Sequence, residues 1–354
     1  AHNEEEVSRF SYAAKVEKGN LFIVKRENFQ FESSNMLKQQ LSEMRKRVET
    51  LKEPAGFEIG EENRRYLKTV VEHFGKREGK PITAAIIYAT ALCFNIDENL
   101  REELEICGKN VCSREKWEQL KQEIRELSRD YRFVNFEDTP FESNRAVTPE
   151  IIAMIYENML ESSEREKKGS FYTPHEIVML MAVESIALYL SQKSDISAEK
   201  LNEYILFYEI KKERGIIEQK KKKKKRVIAE AVKNIKCVDP ACGAGAFITG
   251  MAFCLKNIMG RAGMKEQIGR GSMFAVDIDS GAIEALRIRT AVNGVIESEE
   301  KRFPEFVVGN SITQEKSADK KFQWQSEFKN VFDENNGFDI VIGNSPCEGE
   351  NGNR

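Results

Sequence analysis

The sequence predicts an all-α domain followed by an α/β domain, in which helices flank an incomplete parallel sheet. Three observations carry that prediction. Through the first 160 residues apolar side chains recur at spacings of three and four, so each stretch builds a helix with one face to bury. From residue 236 short apolar runs alternate with helical patterns, which is the layout of parallel strands joined by helical crossovers. A glycine turn, in "VDPACGAGAF" at 238–247, joins the first of these runs to its helix. The expected domains are therefore 1–160 and 161–354, with the change of texture falling between 160 and 235.

Taken in order, "NLFIVKR" at 20–26 reads as a short strand. Leu37, Leu41, Met44, Val48 and Leu51 form one apolar stripe. Tyr66, Val70 and Phe74 form a second, with Leu67 and Val71 beside them and Gly75 at the stop. Trp117, Leu120, Ile124, Leu127 and Tyr131 form a third. The run "ITAAIIYATALCF" at 82–94 is the longest apolar one. A membrane helix needs about 20 such residues, so this run is expected as a buried helix and no membrane partner is expected. Thr148-Pro149 opens the next helix, with threonine as cap and proline in the first turn. Thr173 and Glu176, three apart around Pro174, form a capping-box pattern at the start of another. Residues 211–226, "KKERGIIEQKKKKKKR", are a basic run, read as a solvated segment with contact to a phosphate backbone as the alternative.

Composition narrows the function. The chain is 354 residues with a formal net charge of -3, so any contact with nucleic acid must use a local patch rather than a global field. Its 7 cysteines are scattered and no signal peptide precedes them, which fits reduced thiols in a cytoplasmic protein. Cys107 and Cys112 bracket "CGKNVC", but no second pair completes a zinc set, and no metal is expected. Glu209–Lys211, "EIK", has the letters of a metal-nuclease core, which a chain this rich in Glu and Lys produces by chance. The chain opens on Ala1 and stops soon after a strand signal, which suggests a fragment.

Glycines are needed where the backbone turns sharply and a ligand approaches the strand end. Gly243 and Gly245 supply such a turn. Asp239 leaves the strand just before it, and Asp277 ends the next strand in "FAVDID". A carboxylate at that second position can accept both hydroxyls of an adenosine ribose. The loop lacks the Lys-Ser/Thr tail of a phosphate-cradling loop, which argues against phosphoryl transfer.

"DPACGAGAF", with "FYTP" upstream and "FDIVIGN-x-P" downstream, resembles the N6-adenine DNA methyltransferases that use S-adenosylmethionine. With "EKKGSFYTP" it is most similar to the modification parts of restriction–modification enzymes, particularly single-chain types that combine cleavage and methylation. The resemblance implies a Rossmann-like methyltransferase fold. It places Phe171, Tyr172, Thr173 and Pro174 over the methionine end of the cofactor, and Asp239, Ala241, Gly243 and Gly245 beneath it. Asp277 would hold the ribose, Ile278 would lie against the adenine ring, and Asn310 would meet the adenine amino group.

In that family an Asn-Pro-Pro-aromatic loop does the chemistry. The adenine amino nitrogen is a poor nucleophile because its lone pair is delocalised. The Asn oxygen and the next backbone carbonyl accept its two N–H bonds and polarise it for in-line attack on the methyl. The base is first flipped out of the duplex, and the aromatic stacks on it. Here the tetrad is Asn344-Ser345-Pro346-Cys347. The first proline's rigidity is gone, and Cys347 cannot stack. Such a stack is worth about 1–3 kcal/mol, so its loss alone costs one or two decades. The family's sheet runs on for three more strands and a target-recognition region, so this chain alone is expected to be inactive. The rival readings are a non-catalytic S-adenosylmethionine-binding or scaffolding module, and a modification subunit that meets double-stranded DNA with a separate specificity protein. Glutamine-methylating enzymes share the Asn-x-Pro loop.

Overall fold

The computed structural model describes residues 12–17, 20–25, 61–75, 80–135, 146–159, 173, 175–194, 196–198, 200–201, 205, 221–262, 271–294, 305–311 and 322–344. The stripe from Leu37 to Leu51 and the segment 211–220 lie outside them, as does Glu209–Lys211. The strand expected at 20–26 is present: β1 (Tyr12–Glu17) and β2 (Asn20–Lys25) pair antiparallel, with Tyr12 opposite Lys25.

The helical part contains α1 (Glu61–Phe74), α2 (Lys80–Ala91), α3 (Glu98–Val111), α4 (Arg114–Leu127) and α5 (Glu150–Met159). The two described apolar stripes end up inside. Tyr66, Val70 and Phe74 of α1 meet Trp117, Leu120 and Ile124 of α4 around the buried α2, which contributes Ala85, Ile86 and Ile87. Asp97 caps α3 by accepting from the Leu100 N–H at 2.8 Å, and Ser113 caps α4 through Lys116. Thr148 does precede α5, but its fully buried hydroxyl is taken by Asn63: Asn63 Nδ2 donates to Thr148 Oγ1 at 2.8 Å and Asn63 Oδ1 accepts from Thr148 N at 2.9 Å. That bidentate pair fixes the start of α5 against α1.

The second part follows the predicted alternation. In order come α6 (His175–Lys193), α7 (Lys221–Asn234), β3 (Cys237–Asp239), α8 (Ala246–Ala262), β4 (Met273–Asp277) and α9 (Ser280–Asn293). After them come β5 (Phe306–Val308), the short α10 (Trp324–Glu327), α11 (Lys329–Asn335) and β6 (Ile340–Val341). Residues 221–226 of the basic run open α7. No helix among the described residues is long and apolar enough to cross a membrane.

β3 to β6 form a parallel sheet in the order β5-β4-β3-β6. Cys237 of β3 pairs with Met273 on one side and Ile340 on the other, and Ala275 pairs with Phe306. Because strand side chains alternate, the sheet has two apolar faces. Cys237, Met273, Ala275 and Ile340 pack with α6, α7 and α8 and with Leu286 of α9. Val238, Phe274 and Val276 pack with Phe328 and Val331, where Trp324 and Phe338 also gather. The chain steps outward from β3 to β4 to β5, then returns to the other side of β3 as β6. That reversal opens a crevice at the strands' carboxyl ends, the usual ligand position in such sheets.

The two parts share α9. Its Ile283 and Leu286 belong to the sheet's core, whereas Ala282, Ala285, Ile288 and Val292 belong to the helical core. Polar contacts follow the same seam: Tyr88 donates to Glu284 Oε1 at 3.2 Å, and Asn135 Nδ2 to the Val292 carbonyl at 2.9 Å.

Candidate active site

Four loops leave the carboxyl edge of the sheet, and backbone geometry binds them together. The first runs from Asp239 to Gly245. Gly243 and Gly245 hold φ of 51° and 85°, in the left-handed region that glycine enters without a Cβ clash. A Cβ on Gly245 would run into Leu286 Cδ1, whereas one on Gly243 would meet nothing within 4 Å. Gly245 thus needs to lack a Cβ for packing, and Gly243 leaves open space at the loop's outer side. Ala244 points inward and is buried in the helical core, and its carbonyl accepts from Arg289 Nη1 at 3.4 Å. Thr249 Oγ1 donates to the Gly245 carbonyl at 2.9 Å, which closes the loop onto α8.

Asp239 is 1% exposed at the root of this loop, accepting from the Ala241 N–H at 3.0 Å. Burial pushes its carboxyl up to about 8, and the neighbouring Asp277 charge adds to the shift, against the pull of the Ala241 N–H. Around neutral pH it is mostly a protonated acid. Gly343, on the loop after β6, lies directly against it, and a Cβ there would strike Asp239 Oδ1.

Asp277 ends β4 and is half-buried. Its two oxygens accept from Gly243 N and Asp279 N, each at 2.8 Å, so the carboxylate pins the glycine loop to its own turn. Each carboxylate oxygen can accept more than one hydrogen bond, so a ligand hydroxyl can share them. Ile278 follows with 63% of its surface exposed, an apolar side chain at the mouth of the crevice. Asp279 is buried and caps α9, accepting from Gly281 N at 3.0 Å and from the Tyr156 hydroxyl at 2.6 Å.

The third loop carries Asn310, which is exposed. The residues beside it anchor it: Gly309 N donates to the Asp277 carbonyl at 2.8 Å, and the Ser311 hydroxyl donates to the Pro240 carbonyl. The fourth loop carries Asn344 at the end of β6, with its Nδ2 donating to Thr173 Oγ1 at 3.4 Å. That contact spans 171 positions of sequence and brings Thr173 to the strand edge. It also engages a hydroxyl that the sequence pattern assigns to helix capping.

Of the residues singled out from sequence, Asp239, Ala241, Gly243, Gly245, Asp277, Ile278, Asn310, Asn344 and Thr173 all sit along this edge. Phe171, Tyr172, Pro174, Ser345, Pro346 and Cys347 lie outside the described residues. Sequence reasoning missed Asp279, though the second acid of "DID" was a visible signal. It also missed Tyr156 and Ser311, which nothing local distinguishes. No group of metal-ligating side chains gathers among the described residues.

No curated protein matches the chain. Among solved structures it is similar to the Type IIL restriction-modification enzyme MmeI in complex with DNA, at 13% identity and a TM-score of 0.42, over 83% of this chain and 43% of that one. The chain thus spans less than half of that enzyme's length, and a TM-score of that size does not by itself establish a shared fold. A more local match falls on the sheet edge itself. The stretch that holds Asp277, Ile278, Asn310 and Asn344, residues 272–353, matches the Eco57I restriction-modification methylase family.

Proposed function

We propose that this chain is the methylating part of a restriction–modification enzyme, binding S-adenosylmethionine and directing methyl transfer to the N6 of an adenine flipped out of double-stranded DNA. The observation that carries the reading is the position of Asn344. It stands at the end of β6 next to the crevice, within the stretch that matches a methylase family.

The residues at the edge fit the cofactor. Asp277 offers carboxylate oxygens to the ribose hydroxyls, exposed Ile278 offers an apolar cover for an adenine ring, and Asn310 stands near with a side chain able to read its amino group. The open side of Gly243 leaves room for the methionine end, above the protonated Asp239. The cofactor supplies an electrophilic methyl on a sulfonium. Asn344 supplies the orientation: with its nitrogen toward Thr173, its Oδ1 is the end of the amide that accepts from the target amino group. Ser345 offers the second acceptor through its backbone carbonyl. Both bonds strengthen as the nitrogen becomes tetrahedral, so they favour the transition state over the ground state.

Cys347 supports a second reading, in which the module binds the cofactor and scaffolds a partner without transferring methyl. Two measurements separate them. Calorimetric titration with S-adenosylmethionine should show saturable binding that Asp277→Ala abolishes. Transfer of labelled methyl to adenine-containing duplex should occur and vanish in Asn344→Ala with binding retained. Binding without transfer favours the scaffold. No binding at all overturns both.

A further inference from the structure

A polar contact joins the helical part to the cofactor edge, between Tyr156 of α5 and Asp279. We infer that Tyr156 is a positioning residue for cofactor binding, holding the Asp277–Asp279 turn in the shape that presents Asp277 to a ribose. The inference rests on the cofactor reading given above.

The bonds form a relay. The Tyr156 hydroxyl donates to Asp279 Oδ2 at 2.6 Å, while Asp279 Oδ1 accepts from Gly281 N at 3.0 Å. The backbone N–H of the same Asp279 donates to Asp277 Oδ1 at 2.8 Å, and Asp277 Oδ2 accepts from Gly243 N at 2.8 Å. A side-chain bond from α5 thus joins the Gly281 N–H in holding the Asp279 rotamer. The backbone of Asp279 in turn sets one oxygen of Asp277, and the other oxygen holds the glycine loop. Both partners of the Tyr156–Asp279 bond are sheltered, with Tyr156 6% and Asp279 8% exposed, so that bond is poorly screened by water.

The tyrosine belongs to the helical core but is packed unevenly. One side of its ring borders a cavity of about 270 Å³ between α2 and the start of α9. On another side the ring lies so close to Gly281 that a Cβ there would come within 3.0 Å of Tyr156 Cε2. A second contact points the same way. Ala244 of the glycine loop is buried in the helical core, so the helical part holds the cofactor edge from both sides of α9.

The test uses the full chain and titration calorimetry with two probes, 5′-methylthioadenosine and its 2′,3′-dideoxy analogue. Tyr156→Phe keeps the ring and deletes the hydroxyl. It should weaken methylthioadenosine about three- to tenfold, one bond's worth. It should leave the weaker affinity for the dideoxy analogue unchanged, because that ligand makes no use of Asp277. Ile155→Val, a buried change one residue away, controls for general loosening of α5 and should move neither affinity. Equal loss for both probes, or none for either, overturns the positioning role. Failure of the unsubstituted chain to bind methylthioadenosine overturns the cofactor reading itself, and the positioning role with it.

Discussion

Alanine at each glycine of the β3–α8 loop should give opposite signatures in stability and in ligand affinity. At Gly243, φ is 51° and a Cβ meets nothing. The cost is then the left-handed backbone alone, about 1–2 kcal/mol, less about 0.4–1 kcal/mol because alanine stiffens the unfolded chain. The net loss is roughly 1 kcal/mol. At Gly245, φ is 85° and the Cβ runs into Leu286, a fully buried side chain of α9. Overpacking adds about 1–3 kcal/mol, so the net loss is roughly 3 kcal/mol. Urea unfolding followed by circular dichroism should therefore rank Gly245→Ala as clearly the less stable. The same argument predicts coupling: Gly245→Ala combined with Leu286→Ala should lose less than the sum of the two, by on the order of the clash. Affinity should run the other way. The open side of Gly243 is where a ligand would approach, so Gly243→Ala should weaken S-adenosylmethionine binding at least tenfold at temperatures where it is fully folded. If Gly243→Ala proves as destabilising as Gly245→Ala while binding the cofactor normally, the division of labour between the two glycines is wrong.

Two further outcomes are expected. Asp239 keeps its proton in the folded chain up to about 8 but loses it near 4 when unfolded. The stability it contributes is complete below pH 4 and is lost as pH rises through about 8. Asp239→Asn should then gain on the unsubstituted chain steadily from pH 4 to 8, and a constant gap in unfolding free energy across that range would contradict the assignment. Asn63→Ala strands the buried Thr148 N–H and hydroxyl, so it should cost about 2–5 kcal/mol by chemical denaturation. A loss below 1 kcal/mol would show that water replaces the amide.

Much of this was legible in the sequence, for reasons that differ by element. Tyr66, Val70 and Phe74 could be assigned to one buried face because helical periodicity is local. The alternation from Cys237 to Asn344 predicted parallel strands because crossovers leave a pattern of length as well as hydropathy. Asp239, Gly243, Gly245 and Asp277 were readable because each sits at a strand end, where position along the chain already fixes position in space. Asn63 with Thr148, and Tyr156 with Asp279, were not. Each pair spans 85 or 123 positions, and either member alone looks like an ordinary core or turn residue. Thr173 shows the limit differently: the local pattern foresaw a helix cap, while the fold set its hydroxyl facing Asn344.

α9 is a wall common to two rooms, and that has a consequence for inheritance. Residues on its two sides answer to different neighbours, so a change suited to the sheet must also be tolerated by α1 to α5. A recombination that cut between the two parts and joined one to a foreign counterpart would leave Ala282, Ala285, Ile288 and Val292 facing a surface whose shape does not match them. Exchange that keeps function should therefore cut elsewhere, and carry residues from α1 through α9 as one cassette.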